Sequence, residues 1–351
     1  MNDNHKTIKW IDCAKCLAIL AVMTDHTNGI LYTNQDIAYA SYFSVSLFII
    51  IAGMMSFLSN ERHNLNCLQT FWHSSKKMII GYLLANVIYL VFATKYFDLN
   101  LYIQYIFSFN LSGPFYFVLL YLQLMLVSRP LFLILKKIPL KSSWLWEIVG
   151  GIIILVICSF TTNFTNVLNV YGGGGKILGG TYLFLFYIGM LISKHDILND
   201  MSFKRMAILS VIGGILWISW WRFECVNKLT FDSQLPFGAG FNPPSISFGT
   251  FGLITLLLSC GIFSLFENFK YTKWISNCFS WIGKHSLYIC LYHRFFLDFL
   301  ICKIVVTNNL FIMRILYFSI MILGSIFIEY LILWIKMFLF EKETNLNYQN
   351  K

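Results

Sequence analysis

Apolar runs recur along this chain at 12–33, 40–59, 76–94, 114–135, 146–162, 178–193, 205–223, 246–266, 282–305 and 311–340, and they leave it few ways to fold. A helical run of about 20 residues matches the thickness of a bilayer's hydrocarbon core. Only helices and closed barrels satisfy every backbone N–H and C=O in lipid. The runs are continuous rather than alternating in polarity, so they predict helices and not barrel strands. Residues are 58% hydrophobic and only 12% charged, with a mean hydropathy of +0.67, which excludes an ordinary soluble domain. The expected architecture is all-α. It is a polytopic membrane helix bundle of about ten transmembrane helices, a single integral-membrane domain over 1–351 with no appended soluble domain and both termini cytoplasmic.

The net charge of +10 does not point to nucleic acid, because the basic residues lie in the gaps between runs and not on one amphipathic face. Their distribution reports topology instead. Of the 26 Lys and Arg, only Lys95, Lys176, Arg222 and Lys228 are assigned to the outer side, while Arg294, Lys303 and Arg314 fall deep within runs. The remaining 19 share the other side, which the positive-inside bias assigns to the cytoplasm together with the N-terminus. Lys6 and Lys9 precede an apolar stretch, as in a signal peptide, but no small-residue cleavage pattern follows, and the segment reads as retained. Cys13 and Cys16 form a C-x-x-C without further ligands at comparable depth, so packing cysteines are expected and no metal is predicted. Residues 223–245, with Gly238, Gly240, Pro243 and Pro244, read as an irregular outer loop able to fold over a cavity mouth. Gly172–Gly175 and Lys176 lack the Ser or Thr of a phosphate loop and read as a turn.

Ionisable residues within lipid are expensive, so they mark candidate sites. Asp12, Lys15, Asp25 and His26 lie in the first run. Lys15 and His26 are separated by about three helical turns, about 16 Å, and share a face, which aligns a charged rim with a buried titratable group. Asp12 and Lys15 have the spacing of a pair on one face, whereas Asp25 lies about 100° from His26. Lys284, His285, Ser286 and, about two turns deeper, His293 and Arg294 form a second group. Arg294 has Asp298 one turn on as an available partner. Ser112-Gly113-Pro114-Phe115-Tyr116-Phe117 forms a third, with Pro114 suited to a first helical turn and Tyr116 and Phe117 to an interfacial belt.

These segments resemble the acyltransferase family 3 membrane proteins, O-acyltransferases that modify bacterial surface polysaccharides. Ile11 to Val22 and on to His26 is similar to the family's opening segment, in which an acidic residue and a basic residue are followed, after ten intervening residues, by His. Phe48-Ile49-Ile50-Ile51-Ala52-Gly53-Met54 resembles its second-helix segment, and Gly113 to Phe117 its Pro-x-Trp-Phe-Leu segment. Gly283-Lys284-His285-Ser286-Leu287-Tyr288 through His293 resembles its late segment. The departures are Ser46 in place of an acidic residue, Ala52 for serine, Tyr116 for tryptophan and Cys290 for the late tyrosine.

The resemblance implies a multi-pass enzyme of the bacterial cytoplasmic membrane. It would move an acyl group, usually acetyl, from cytoplasmic acyl-CoA to a hydroxyl of a glycan, glycolipid or sugar outside. Acetyl-CoA is the donor co-substrate in this scheme. Lys15, Lys76 and Lys77 would hold its phosphates, joined by His285 and Ser286 of the late segment. His26 would be the general base, tuned by Asp25 or Asp12, with Arg294 or Tyr116 stabilising the oxyanion. The rival from another class is a transporter or flippase for a small polar solute, which a polar path through a helix bundle would also suit. No inverted repeat favours it.

Overall fold

The computed structural model describes residues 9–138, 143–168, 180–198, 202–228, 243–301 and 310–349. They form helices and turns with no β-strand among the described residues. In chain order the helices are α1 (Lys9–His26), α2 (Gln35–Tyr39), α3 (Ser44–Arg62), α4 (Cys67–Thr94), α5 (Leu99–Ser108), α6 (Tyr116–Lys137), α7 (Ser143–Leu168), α8 (Gly180–Lys194), α9 (Phe203–Asn227), α10 (Pro243–Asn268), α11 (Lys273–Lys284), α12 (Ser286–Phe295) and α13 (Leu310–Gln349). A 3₁₀ turn at Gly113–Phe115 leads into α6, and a π-helical segment at Phe296–Ile301 continues α12. Every apolar run overlaps a helix among the described residues. The glycine run at 172–175, Lys176, Lys303 and most of the 223–245 loop lie outside the described residues.

Among the described residues, six helical segments are long and apolar enough to cross a membrane: Gln35–Arg62, Cys67–Thr94, Gly113–Lys137, Phe203–Asn227, Ser247–Asn268 and Phe311–Trp334. α1 falls short for a physical reason, since Lys9, Asp12, Lys15 and Asp25 sit within its 18 residues. It does not need to face lipid. Trp10, Ile11, Cys13, Ala14, Cys16, Ala18, Ile19, Ala21 and Met23 are all buried, so α1 is a central helix wrapped by α3, α10, α11 and α12. The outer helices show the opposite pattern. Val211, Ile215 and Ile218 of α9 and Phe311, Phe327 and Trp334 of α13 are exposed, as lipid-facing side chains are.

Local sequence sets the helix starts. At α4 a capping box closes reciprocally: the Gln69 N–H donates to Asn66 Oδ1 at 2.9 Å, and the Asn66 N–H donates to Gln69 Oε1 at 3.2 Å. Asp98 caps α5 by accepting from the N–H groups of Asn100 and Leu101, at 2.8 and 3.1 Å. Pro114 opens the α6 entry, where a missing N–H costs nothing. Between helices, glycine sets the distance of approach. A Cβ at Gly53 would run into the Phe186 carbonyl, one at Gly189 into the Ile50 carbonyl, and one at Gly283 into the Asp12 carbonyl. These are the α3–α8 and α1–α11 crossings.

Contacts between helix ends define two ends of the bundle. Lys9 pairs with Glu267 at 3.0 Å, Cys13 donates to the Ser276 carbonyl at 3.3 Å, and Arg129 reaches Asn60 and Asn64. Lys194 donates to the Ile138 carbonyl at 3.2 Å and to Glu147 at 2.7 Å. All of these belong to one end, which also carries Lys76, Lys77, Lys136 and Lys137 and is the basic end. At the distal end, Trp221 donates to the Asp36 carbonyl at 2.7 Å, Ser247 to Glu224 at 2.9 Å, and Arg314 to the Leu31 carbonyl at 3.1 Å. His26 lies there, at the C-terminus of α1.

Candidate functional site

α1 ends at a tight turn. Gly29 adopts a left-handed φ of +81°, its N–H donates to the Tyr32 carbonyl at 2.8 Å, and the Tyr32 hydroxyl donates back to the Thr24 carbonyl. This turn fixes the last residues of α1 and aims Asp25, His26 and Asn28 into a cavity of about 580 Å³. The opposite walls are Gln35, Ser41, Tyr42, Ser44, Val45 and Phe48 from α2, α3 and the turn between them, Gly113, Pro114, Tyr116 and Phe117 at the α6 entry, and Cys290 of α12. The mixture of hydroxyls, amides, one carboxylate and aromatic faces is that of a binding cavity and not of a packing defect.

His26 meets a second histidine across the bundle. Its Nδ1 lies 2.6 Å from Nε2 of His293, and the two rings are nearly parallel, 5° apart with centroids at 4.9 Å. His293 is completely buried, and its Nδ1 lies 2.8 Å from the Ile289 carbonyl one turn back in α12. A carbonyl oxygen can only accept, so Nδ1 of His293 carries the proton that makes this bond. With both rings neutral, Nε2 of His293 is then an acceptor and His26 donates from Nδ1. Nε2 of His26 is left with its lone pair, so the Ile289 carbonyl sets, through two rings, which nitrogen of His26 can take a proton.

Asp25 and Tyr116 line the same cavity as His26. The other expected site residues lie elsewhere. Asp12 and Lys15 pair with each other at 3.0 Å near the basic end, and neither lines the cavity, although Lys15 does share a helix face with His26. Lys76 and Lys77 are exposed in the third turn of α4 and do not line the cavity. His285 occupies the break between α11 and α12, with Nδ1 2.6 Å from Glu329 Oε2, and Ser286 follows it, buried. Arg294 donates to Asp298 at 3.1 Å, the structural alternative its spacing allowed, and does not line the cavity.

Two residues stand out only in three dimensions. His293, visible in the ninth run, becomes a partner of His26 through a contact between residues 267 apart. Arg129, counted by topology on the cytoplasmic side, is 8% exposed, with Asn60 and Asn64 oxygens as hydrogen-bond acceptors and Phe132 under its guanidinium at 5.3 Å. Cys13 and Cys16 are free and buried against neighbouring helices, as packing cysteines are. No group of three or more His, Cys, Asp or Glu that could hold a metal occurs among the described residues.

A bundle with apolar outer faces, a polar cavity at one end and, on the cavity wall, a histidine paired with a second, buried one defines a multi-pass membrane protein with a chemical site in its interior. The acyltransferase domain model of acyltransferase family 3 matches residues 8–334, nearly the whole chain, and the chain belongs to that family. It is therefore a membrane acyltransferase. No curated protein and no solved structure matches the chain.

Proposed function

We propose that the protein transfers an acyl group, acetyl in the simplest case, from cytoplasmic acyl-CoA to a hydroxyl of a glycan, glycolipid or sugar held in the distal cavity. The observation that carries this reading is His26 on the cavity wall, paired with the buried His293 behind it. An alcohol is a poor nucleophile near neutral pH and needs a base within hydrogen-bond reach. Nε2 of His26 has the free lone pair for that task. The acceptor O–H gives its proton to Nε2, and its oxygen attacks the thioester carbonyl. The tetrahedral oxyanion collapses with cleavage of the C–S bond, and the imidazolium returns the proton to the departing thiolate. While His26 is charged, its Nδ1–H bond to His293 Nε2 is charge-assisted and stabilises the imidazolium. His293 is thus a positioning residue with the orienting part that a carboxylate plays in a serine-hydrolase triad.

The donor would enter from the basic end, where Lys76 and Lys77 offer exposed cations to its phosphates and Lys15 lies on the same α1 face as His26. Tyr116, on the cavity wall, is the better-placed candidate to donate to the oxyanion, since Arg294 is committed to Asp298. The positive-inside bias supports a cytoplasmic basic end and an N-terminus inside a bacterial cytoplasmic membrane.

The deciding experiment uses protein reconstituted in lipid nanodiscs with radiolabelled acetyl-CoA and a mixed neutral glycan acceptor. Wild-type protein transfers label to the acceptor, and His26→Ala reduces transfer by at least about 10²-fold while folding normally, the contribution expected of a general base. Label transfer retained by His26→Ala would remove His26 from the role. Absence of any acetyl-CoA binding by the wild-type protein would reject the donor.

A further inference from the structure

We infer that α11 is an interfacial helix, lying against the bilayer surface at the basic end and binding the headgroups of anionic phospholipids through Lys273 and Lys284. The inference goes beyond the acyl-transfer reading and does not depend on it, since α11 sits at the opposite end of the bundle from the cavity.

With 12 residues, α11 is about 18 Å long, well short of the hydrocarbon core of a bilayer. It lies across the first turns of α1 and not alongside them. Cys13 donates to the Ser276 carbonyl at 3.3 Å, and a Cβ on Gly283, two turns further along α11, would strike the Asp12 carbonyl. Two turns of α11 thus meet one turn of α1.

Four stripes run along α11 at helical spacing. Ser276, Ser280 and Gly283 form the buried face that approaches α1. Trp274, Cys278 and Trp281 lie on the opposite face, with the two indoles 67% and 42% exposed. Lys273, Asn277 and Lys284, all exposed, occupy one flank, while Ile275, Phe279 and Ile282, half-buried, occupy the other. Phe279 packs on Phe263 of α10 with ring centroids at 5.2 Å. Around the outward side of α11 the order is therefore cation, aromatic, apolar. A bilayer surface has the same order of layers, from water and phosphate through the aromatic belt to hydrocarbon. A leaflet imposes that gradient on a helix lying in it, whereas the face of a soluble partner does not. Beside the Trp ridge the two ammonium groups stand at the depth of the lipid phosphates, where their charge favours an anionic over a zwitterionic headgroup.

The test uses the full chain in nanodiscs of phosphatidylcholine with a minority of phosphatidylglycerol. A nitroxide is attached at Cys278, on the Trp ridge, in a variant whose other cysteines are alanine, and its collisions with oxygen and with a water-soluble nickel chelate are read by power saturation. At headgroup depth the label meets both. Collision with the chelate alone would put α11 in water, with oxygen alone in hydrocarbon, and with neither beneath another part of the protein, and each result would overturn the inference.

A second measurement keeps every cysteine. Native mass spectrometry of protein released from the same discs should show phosphatidylglycerol retained in preference to phosphatidylcholine. Lys273→Gln combined with Lys284→Gln should lower that preference by about threefold or more, and Lys273→Arg combined with Lys284→Arg should preserve it. Soluble glycerol phosphate should not displace the lipid. An unchanged preference in the Gln variant, an equal loss in the Arg variant, or displacement by glycerol phosphate would overturn the assignment of the lysines to a lipid headgroup.

Discussion

At the scale of single residues, the proposed chemistry hangs on hydrogen bonds that fix where protons sit. His293 is buried, its Nδ1 is occupied by the Ile289 carbonyl, and its Nε2 faces His26. Replacing it with Gln keeps an acceptor oxygen for the His26 Nδ1–H, whereas Leu does not. His293→Leu should therefore lower kcat by about tenfold to a hundredfold, the range seen when the outer partners of metal-bound histidines are removed. His293→Gln should retain more activity than His293→Leu. KM should stay nearly constant in both, because neither change touches bound acceptor. Equal kcat in the two variants, or a loss confined to KM, would show that His293 only fills space. Lys15→Ala should raise the Kd for acetyl-CoA in a titration at low salt, and an unchanged Kd would assign phosphate recognition to other basic-end residues. The sequence made His26 and Lys15 legible because ionisable groups are conspicuous in apolar runs. It did not reveal the pairing of His26 with His293, since nothing local links residues 267 apart. Nor did face alignment imply a shared cavity, because Lys15 is held by Asp12.

Among elements, the apolar runs marked helices well, while breaks within a run were harder to read. The run at 282–305 holds the end of α11, a break at His285, α12 and a π-helical segment, since polar His285 and Ser286 interrupt it without changing its hydropathy much. α5 escaped a reading based on apolar length because it is a short surface helix of ten residues with none buried. Helix crossings were legible only in part, since a glycine in a run does not announce what it touches. Gly53 and Gly189 bring α3 and α8 together backbone to backbone, and an added Cβ at either overlaps a carbonyl of the other helix. Gly214 in α9 has only Leu258 Cδ1 nearby, at 3.9 Å. The same substitution should thus have opposite signs. Gly53→Ala should destabilise the protein by about 1–3 kcal/mol through overpacking. Gly214→Ala should stabilise it by about 0.5–1 kcal/mol through helix propensity. Thermal unfolding in one detergent reads both, and a rise in Tm for Gly53→Ala would contradict the close α3–α8 approach.

For the whole molecule, the proposed reaction gives the two ends different jobs, and the direction of the chain through the bilayer decides whether they can perform them. A thioester donor made in the cytoplasm requires the basic end inside, and a surface glycan requires the distal cavity outside. The charge distribution that supports this orientation comes from sequence alone, whereas the assignment of residues to ends comes from contacts such as Lys9–Glu267 and Trp221–Asp36. Cys67 and Cys278 are exposed at the basic end, at the start of α4 and in the middle of α11. Cys290 lines the cavity at the other. A membrane-impermeant maleimide added to intact cells should leave Cys67 and Cys278 unmodified while labelling Cys290. Inside-out vesicles should reverse the order, with Cys67 and Cys278 labelled first. Labelling of Cys67 and Cys278 from outside would invert the molecule and place the proposed acceptor cavity on the donor's side, where no surface glycan could reach His26.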